Sequence, residues 1–518
     1  MNKGQIKNFY QQLKNKRKGY FIGDFVIARS LMYCLPEIFL EPWNENAESD
    51  AYIIEENSEN CSENDSRTAD DHRIALNDFV QIMDIQREVG GERKYVYWGC
   101  GSELDMQFDA LRKIYPPEFI IDMVKEGEYR KVPIRKFNYS ITRENYFVII
   151  TSLRYKQEIR EILIEAGYQE HQDFDEYKML LLMGGSSEMF LKTVRGKRMK
   201  HCSCIRPFDY INVGVGGYVT HCCFQWLPYY VGNILNVEIN SLDTIKSRIV
   251  RLSFLNETYS FCNTLLCPMM NKDRKELYSD EIRIEELLDI PFHITKADMA
   301  FDNTCNLYCV SCREQVLVEC GNEIMEIASR IQEELLPQLN WLTVAGNGEA
   351  FFSKAYKKLL TEEKWDNLNL SILSNGNLFN LEKWKEIEGK FKSIALYFSI
   401  DAATEKTYQI VRRGGNWQRL MDNLKFASDL RKNGSVCDFR LRFVVSSTNY
   451  KEIPAFVRLG NALGVDQIDF SRIENWGTYT EEEFRRVSMF NGDKMKSELK
   501  EVMNDSVMES PNVCLINL

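Results

Sequence analysis

Long apolar runs are missing from this chain of 518 residues. A membrane-spanning helix needs about 20 consecutive apolar residues, and no segment approaches that length. The first residues are mostly polar and lack the apolar centre of a secretory signal peptide. The sequence therefore predicts a cytoplasmic protein.

An excess of positive charge is also missing. Lysine and arginine total 65 against 76 aspartate and glutamate residues, and the formal net charge is -11. This balance argues against nucleic acid as a partner that is held mainly through its phosphates. The local basic run at residues 192–200 is interpreted as a solvated loop.

The residues that are present suit a folded protein of several domains. Hydrophobic residues make up 44% of the chain and aromatic residues 12%, which excludes general disorder. The length predicts about three or four domains. The order of predicted elements gives an N-terminal segment that ends in an acidic flexible linker at 44–71, a Rossmann-like α/β domain, a small cysteine-rich domain, a larger parallel α/β domain and a C-terminal helical tail. The predicted boundaries are 1–71, 72–190, 200–275, 290–476 and 477–518.

The larger α/β domain contains six apolar segments, each followed by a helical pattern. Each segment is apolar enough to be buried on both faces, as parallel strands are. The predicted strands are ITKADMAF (294–301), WLTVAG (341–346), LSILSN (370–375), IALYFSI (394–400), FRLRFVV (439–445) and QIDFSRI (467–473).

Three of the 15 cysteines, Cys305, Cys309 and Cys312, lie within eight residues directly after the first of these strands. Disulfides are not expected in a cytoplasmic protein, so clustered thiols indicate metal. Three thiolates on a cube of four irons leave one iron without a protein ligand, and that iron can bind a small molecule. Zinc is the alternative, but structural zinc sites are closed by four ligands, and Cys320 has no partner nearby in the sequence.

The C-x3-C-x2-C arrangement resembles the cluster motif of the radical S-adenosylmethionine superfamily, and motifs at the ends of the next strands extend the resemblance over residues 294–476. The resemblance implies a partial (βα)6 barrel in which the three cysteines bind a [4Fe-4S] cluster and the open iron binds S-adenosylmethionine. It also implies contacts from the motifs VAGNGEAFF, ILSNGNLF and FSIDAATEK to S-adenosylmethionine. The implied contact residues are Gly346, Gly348, Glu349, Ser374, Asn375, Ser399 and Asp401.

The resemblance also places these residues around the ligand. Gly348 and Glu349 are expected at the methionine amino group, and Ser399 and Asp401 at the ribose. Family members often carry a basic residue at the position of Arg412 and Arg413, although two arginines there could also cap a helix C-terminus.

Two departures from the family pattern concern the contacts to the adenosine. Ser311 stands where the family usually has an aromatic residue, and Tyr308 or Phe301 could take that role. The second-strand motif reads G-N-G-E-A instead of G-G-E-P.

A second group of cysteines resembles the SPASM or twitch domain that carries auxiliary clusters. The segment CSCIRPFDYINVGVGGYVTHCC contains a C-x12-G-x4-C pattern, and FCNTLLCP follows it. The resemblance implies a second, auxiliary [4Fe-4S] cluster, although here the segment precedes the barrel. A zinc ribbon is the alternative. The implied ligands are Cys204, Cys222, Cys262 and Cys267.

The Rossmann-like domain carries part of a dinucleotide-binding fingerprint. Gly99 and Gly101 follow a predicted strand, and Asp122 ends the next one, but the third glycine is missing. A scaffold without a nucleotide is favoured over a nucleotide site.

The resemblance implies an iron-sulfur oxidoreductase that cleaves S-adenosylmethionine reductively to a 5'-deoxyadenosyl radical and abstracts hydrogen from a substrate. The expected substrate is a peptide or protein side chain, with the auxiliary cluster as electron acceptor. The alternatives are a dehydrogenase or related enzyme that acts on a sugar or other small molecule, and a non-catalytic iron-sulfur or zinc protein. An electron donor such as flavodoxin or ferredoxin is the expected partner, with neither nucleic acid nor membrane.

Overall fold

The computed structural model divides the chain into two compact units. Among the described residues, the first unit takes those of Met1–Ile205 and Asp243–Cys262, and the second takes Cys267 and those of Arg206–Leu242 and Phe292–Leu518. The structure describes residues 1–16, 18–44, 47, 50–56, 72–85, 92–138, 141–152, 155–170, 172–177, 187–188, 190–191, 204–224, 226–236, 238–256, 258–262, 267, 292–319, 321–475, 478–491, 494–516 and 518.

Helices and strands alternate along much of the described chain. The helices are α1 (Lys3–Lys16), α2 (Phe25–Cys34), α3 (Leu76–Phe79), α4 (Ile82–Ile85), α5 (Ser102–Ile114), α6 (Lys156–Glu165), α7 (Arg206–Asp209), α8 (Ile245–Leu255), α9 (Asn322–Arg330), α10 (Lys354–Thr361), α11 (Leu381–Ile387), α12 (Glu405–Val411), α13 (Trp417–Lys432), α14 (Ile453–Leu463), α15 (Glu481–Val487) and α16 (Ser497–Met503). No described helix combines the length and the apolar character that crossing a membrane requires.

The strands of the first unit are short. They are β1 (Gly19–Ile22), β2 (Leu40–Pro42), β3 (Ile53–Glu55), β4 (Arg73–Ala75), β5 (Lys94–Trp98), β6 (Pro117–Ile121), β7 (Gly127–Tyr129), β8 (Val132–Arg135), β9 (Tyr146–Ile150) and β10 (Phe174–Glu176).

The second unit contains the longer strands. They are β11 (Tyr210–Gly214), β12 (Tyr218–Thr220), β13 (Gly232–Asn233), β14 (Lys296–Ala300), β15 (Trp341–Val344), β16 (Trp365–Ser374), β17 (Phe391–Ser399), β18 (Asp438–Val445), β19 (Gln467–Arg472), β20 (Phe490–Asn491), β21 (Lys494–Met495) and β22 (Val513–Leu515).

The first unit contains two sheets. One has the order β2-β1-β3-β4 with all pairs parallel. The other has the order β10-β9-β5-β6-β8-β7, in which only β7 is antiparallel. Its β5, α5, β6, β9 and α6 follow one another as the Rossmann-like pattern predicts.

The prediction of a flexible linker over 44–71 is wrong for part of that range. Ile53 and Ile54 are fully buried in β3, which pairs with β1 and β4. Two adjacent β-branched residues bury enough apolar surface to offset the ordering of so short a strand once neighbouring strands are present. Residues 57–71 lie outside the described part of the chain.

The second unit is built on one sheet of ten strands with the order β13-β12-β11-β14-β15-β16-β17-β18-β19-β22. The six strands predicted from the sequence are present as β14 to β19, in sequence order and parallel throughout. The mixed α/β class with parallel sheets is therefore confirmed, while the finer assignment to a partial barrel stays a prediction.

The structure differs from the predicted segments at both edges of this sheet. At one edge, β11 pairs in parallel with β14, and β12 and β13 follow, although all three belong to the predicted cysteine-rich domain. At the other edge, β22 pairs with β19, although it belongs to the predicted helical tail. An unpaired strand edge exposes backbone donors and acceptors, and these additions satisfy them. The proposed domain boundaries stay predictions.

The helices that follow the central strands begin on capping side chains. Each cap accepts a hydrogen bond from an amide of the first helical turn, which would otherwise lack an acceptor. These N-caps of α10, α11, α12 and α13 are Ser353, Asn380, Thr404 and Asn416. The loops between β15, β16 and β17 and these capped helices lie at the carboxyl edge of the sheet, because the strands are parallel.

Candidate functional site

The three cysteines of the first motif lie on the loop that follows β14. Cys305 and Cys309 are buried, with 7% and 8% of their surface exposed, whereas Cys312 is exposed. The Cys305 amide donates to the carbonyl of Leu317, so the loop doubles back on itself. In parallel sheets such carboxyl-edge loops collect functional groups.

Each of the three sulfurs accepts an N–H hydrogen bond. The donor distances are 3.5 Å from the Leu307 amide and 3.9 Å from the Asn375 side chain to Cys305, 3.6 Å from Arg412 to Cys309, and 3.3 Å from each of two Arg313 nitrogens to Cys312. Two of the sulfurs thus have a guanidinium as donor. Cationic N–H donors stabilise a thiolate, which is the form that binds iron.

The electrostatics of the buried thiols depend on burial and on Arg412. Burial raises the pKa of Cys305 to about 11, and the nearby carboxylate of Glu349 adds to that rise. Burial also raises the pKa of Cys309, and Arg412 opposes this effect. A metal that binds these sulfurs must displace protons, so its affinity depends on pH.

Gly348 brings the loop after β15 against the cysteine loop. Its φ is +69°, and a Cβ atom there would lie 2.4 Å from the carbonyl oxygen of Asp302 and 2.7 Å from that of Thr304. The space beside this glycine is thus filled by backbone of the chain itself. Gly346, two residues earlier, lies against β14, since a Cβ there would be 2.9 Å from the Cβ of Ala300.

Glu349 joins the ends of three strands. It is 1% exposed and accepts hydrogen bonds of 2.7 Å from the Ser374 hydroxyl and 2.7 Å from the Asn375 amide. Its own amide donates to Thr304 at 2.9 Å. Burial raises the pKa of this carboxyl, and the donors oppose the rise. Because Asn375 also donates to Cys305, the predicted residues of β15 and β16 lie next to the cysteine loop.

Asp401 lies beyond the end of β17 in a left-handed conformation, with φ +61°. One carboxylate oxygen accepts from the Val444 amide at 2.8 Å, and the other is 2.7 Å from Arg412. Burial raises the pKa of Asp401, and Arg412 opposes the rise. Ser399, the last residue of β17, is half-buried and stands opposite Arg442 of β18.

Arg412 connects two of the predicted site residues. One terminal nitrogen reaches the sulfur of Cys309, and the other pairs with Asp401. Burial lowers the pKa of Arg412, but Asp401 and Cys309 outweigh burial and leave it above its usual value. Its Nε is buried and has no hydrogen-bond partner among the described residues.

Arg413 has a different environment from its neighbour. Its guanidinium donates to the carbonyl oxygens of Tyr308 and Arg313 at 3.0 and 3.3 Å and stacks on the Tyr308 ring. The Tyr308 amide returns a hydrogen bond to the Arg413 carbonyl. Arg413 thus braces the cysteine loop and contacts none of its sulfurs in the described structure. The sequence shows two adjacent arginines and no signal that separates their roles.

Phe301 and Tyr308, the two residues that could replace the aromatic residue usual in the family, both pack against other side chains. Phe301 is fully buried and packs edge-to-face on Tyr356 at 5.1 Å, so it belongs to the core. Tyr308 lies under Arg413 and beside Gly414.

The cysteines assigned to the auxiliary cluster are divided between the two compact units. Cys222 and Cys267 belong to the second unit, and Cys204 and Cys262 to the first. The shared site therefore stays a prediction. Among the described residues, no three His, Cys, Asp or Glu side chains converge as the ligands of a single metal ion do.

Asp122 of the Rossmann-like sheet is hydrogen-bonded to the backbone of the protein. Its carboxylate accepts from the amides of Cys100, Val124 and Lys125 at 2.8 to 2.9 Å. Burial raises the pKa of Asp122, but the three amides outweigh burial and leave it low. This arrangement favours the interpretation as a scaffold.

Comparisons with known proteins give partial structural matches only. No protein-family model matches the sequence. No curated protein matches either. Among solved structures, one match is Streptococcus suis SuiB bound to the precursor peptide SuiA. The match covers 55% of this chain and 68% of the SuiB chain, with 13% identity and a TM-score of 0.32. SuiB bound to S-adenosylmethionine matches 43% and 45%, with 14% identity and a TM-score of 0.28. The protein anSMEcpe with bound AdoMet and the Kp18Cys peptide matches 34% and 49%, with 16% identity and a TM-score of 0.25.

These neighbours are radical S-adenosylmethionine enzymes. In the last two structures the match spans about half of the neighbour's length. Because these TM-scores are low, the function of this chain is inferred from the residues described above.

Proposed function

We propose that this chain is a radical S-adenosylmethionine enzyme whose [4Fe-4S] cluster is bound by Cys305, Cys309 and Cys312. One observation carries the proposal: three cysteines on one carboxyl-edge loop each accept an N–H hydrogen bond, and an arginine whose side chain is mostly buried joins one of them to Asp401. A structural zinc site would need a fourth ligand.

The residues present fit the proposed cofactors. Three thiols on one loop, with no fourth ligand beside them among the described residues, suit a cluster with one open iron. Cationic donors on Cys309 and Cys312 offset the negative charge of thiolates. The buried Nε of Arg412 is a donor still available to an added acceptor.

When bound, the cluster and S-adenosylmethionine supply a 5'-deoxyadenosyl radical after one-electron reduction. The protein's own residues hold and orient these groups. Cys305 and Cys309 are buried, so the fold keeps water from two of the three sulfurs. Glu349 and Asn375 hold the end of β16 against the cysteine loop, and Asp401 holds Arg412.

The proposed substrate is a peptide or protein side chain. The cysteine-rich segment that resembles a SPASM domain favours this class, and two of the matched structures contain a peptide, the precursor SuiA in one and Kp18Cys in the other. The alternative substrate, a sugar or other small molecule, is favoured only if the Rossmann-like sheet binds a nucleotide. The carboxylate of Asp122, the expected ribose ligand there, already accepts hydrogen bonds from three backbone amides. An auxiliary cluster on Cys204, Cys222, Cys262 and Cys267 would accept the electron, and flavodoxin or ferredoxin would supply one in the cytoplasm.

The first experiment tests the cluster and the cleavage of S-adenosylmethionine together. The protein is reconstituted with iron and sulfide without oxygen, reduced with dithionite, and assayed for 5'-deoxyadenosine. We expect product from the wild type and at least 100-fold less, an order-of-magnitude expectation, from Cys309→Ala, because the cluster loses a ligand. Cys437→Ala is the matched control, because Cys437 is an exposed cysteine away from the motif.

Two outcomes would overturn the proposal. One is a reconstituted wild type that holds zinc and no iron, and the other is equal product from the wild type and Cys309→Ala. About four irons per chain would indicate one cluster, and about eight would indicate the auxiliary cluster as well.

A further inference from the structure

Among the described residues, two arginines contact the proposed cluster ligands, and their surroundings differ. Arg412 reaches Cys309, which is buried, and its side chain is 13% exposed. Arg313 reaches Cys312, which is exposed. A charge in a buried site acts through a lower effective dielectric and is screened less by salt than a charge at the surface.

Asp401 holds the Arg412 guanidinium in place. Its carboxylate is 6% exposed and is itself fixed by the Val444 amide. The ion pair with Arg412 measures 2.7 Å. The arginine guanidinium is planar and forked, so one nitrogen can donate to a carboxylate while another donates to a sulfur. A lysine ammonium cannot reach both acceptors in the same geometry.

Reduction of a cluster at this site makes the charge on the iron and its thiolates more negative by one. N–H donors and positive charge close to the sulfurs stabilise that added charge and raise the reduction potential. Arg412 should have the larger effect, because its sulfur partner Cys309 and its carboxylate partner Asp401 are both buried, whereas the sulfur partner of Arg313 is exposed.

We propose that Arg412, positioned by Asp401, sets the reduction potential of the cluster on Cys305, Cys309 and Cys312. This inference rests on the proposed function. The step it affects is the transfer of one electron from an external low-potential donor, dithionite in the experiment, into the oxidised cluster. No bond forms or breaks in that step.

The test is a redox titration of the reconstituted full-length protein, followed by electron paramagnetic resonance without S-adenosylmethionine. We expect Arg412→Gln to lower the ratio of reduced to oxidised cluster about tenfold at a fixed potential, which is about 59 mV for a one-electron couple. Arg412→Lys keeps the charge and should lower the ratio by about threefold or less. Arg313→Gln should lower the same ratio by less than about threefold, because water screens a charge beside the exposed Cys312.

Arg419→Gln is the matched control. Arg419 is exposed on α13 in the described structure, and the substitution removes the same charge without touching the cysteine loop. Its titration should coincide with that of the wild type. Each variant is compared at the iron and sulfide content of the wild type.

A second measurement keeps the inference testable if Arg412→Gln does not retain iron. In protein labelled with 15N-arginine, pulsed resonance of the reduced cluster should show an arginine nitrogen coupling in Arg313→Gln, where Arg412 still donates to Cys309, and none in the double variant Arg313→Gln/Arg412→Lys. No such coupling, or an Arg412→Gln potential equal to that of the wild type, would refute the role of Arg412. A wild type without any [4Fe-4S] signal would refute the proposed function instead.

Discussion

At the scale of single residues, close backbone contact decides what the second-strand motif can contain. Gly348 lies against the carbonyl oxygens of Asp302 and Thr304, and its backbone is left-handed. The sequence marks this glycine as part of a motif next to a ligand. Only the fold shows that its missing side chain makes room for the cysteine loop.

Gly348→Ala should therefore destabilise the protein by about 3 kcal/mol or more, the sum of steric overlap and left-handed strain. Gly434→Ala is the matched control, since Gly434 has φ +80° and nothing within 4 Å of the added Cβ. That substitution should lower the free energy of unfolding by only about 1 kcal/mol. Urea denaturation of both variants measures the difference, and equal losses would show that strain alone matters at Gly348.

Arg412 and Arg413 show a limit of sequence reasoning at the same scale. Both are arginines that follow α12, and both satisfy the family pattern of a basic residue. Adjacent side chains leave the backbone in different directions, so one reaches Cys309 and the other reaches carbonyl oxygens of the cysteine loop. Motif position cannot resolve this difference, because it depends on the path of the chain after α12.

At the scale of elements, β18 forms as predicted, but only one of its two faces is fully buried. Its side chains alternate between full burial and partial exposure along Asp438–Val445. Phe443 is fully buried and packs on Phe456 of α14 and Phe470 of β19, whereas Arg442 faces the other side of the sheet. A strand of period two with one apolar face must pack that face on helices.

Phe443→Ala should lower the free energy of unfolding by about 3 to 5 kcal/mol, because it leaves a cavity in that core. Arg442→Ala, at the next residue toward the N-terminus, should cost less than about 1 kcal/mol, because its ion pair with Asp469 is long, at 3.5 Å, and one third of its side chain is exposed. Chemical denaturation of the two variants compares the faces of a single strand. Similar losses would contradict the assigned orientation of β18.

At the scale of the whole molecule, the chain forms two compact units with separate sheets. The proposed cluster ligands Cys305, Cys309 and Cys312 all belong to the second unit. The first unit has its own core, in which Phe147 of β9 is fully buried among Tyr97, Phe108 and Ile149. Units that each have their own core can open in separate steps.

Phe147→Ala should therefore weaken the first unit and leave the cluster site intact. We expect faster amide hydrogen exchange in β5, β6 and β9, with unchanged exchange in β15 to β18 and an unchanged reduction potential of the reconstituted protein. Phe443→Ala should give the opposite pattern of exchange. A change in β15 to β18 caused by Phe147→Ala would show that the two units unfold together.

The sequence by itself determined the six parallel strands, the position of the cysteine loop after the first of them and the mixed α/β class, because apolar periodicity and local spacing are properties of neighbouring residues. It misassigned β3 to a linker and did not reveal that β11 pairs with β14, because pairing between distant strands leaves little trace in a local pattern. Only the tertiary structure decided that Arg412 joins Cys309 to Asp401 and that Gly348 makes room for the cysteine loop. Those contacts depend on where separate loops meet at the carboxyl edge of one sheet, and no local pattern in the chain records that meeting.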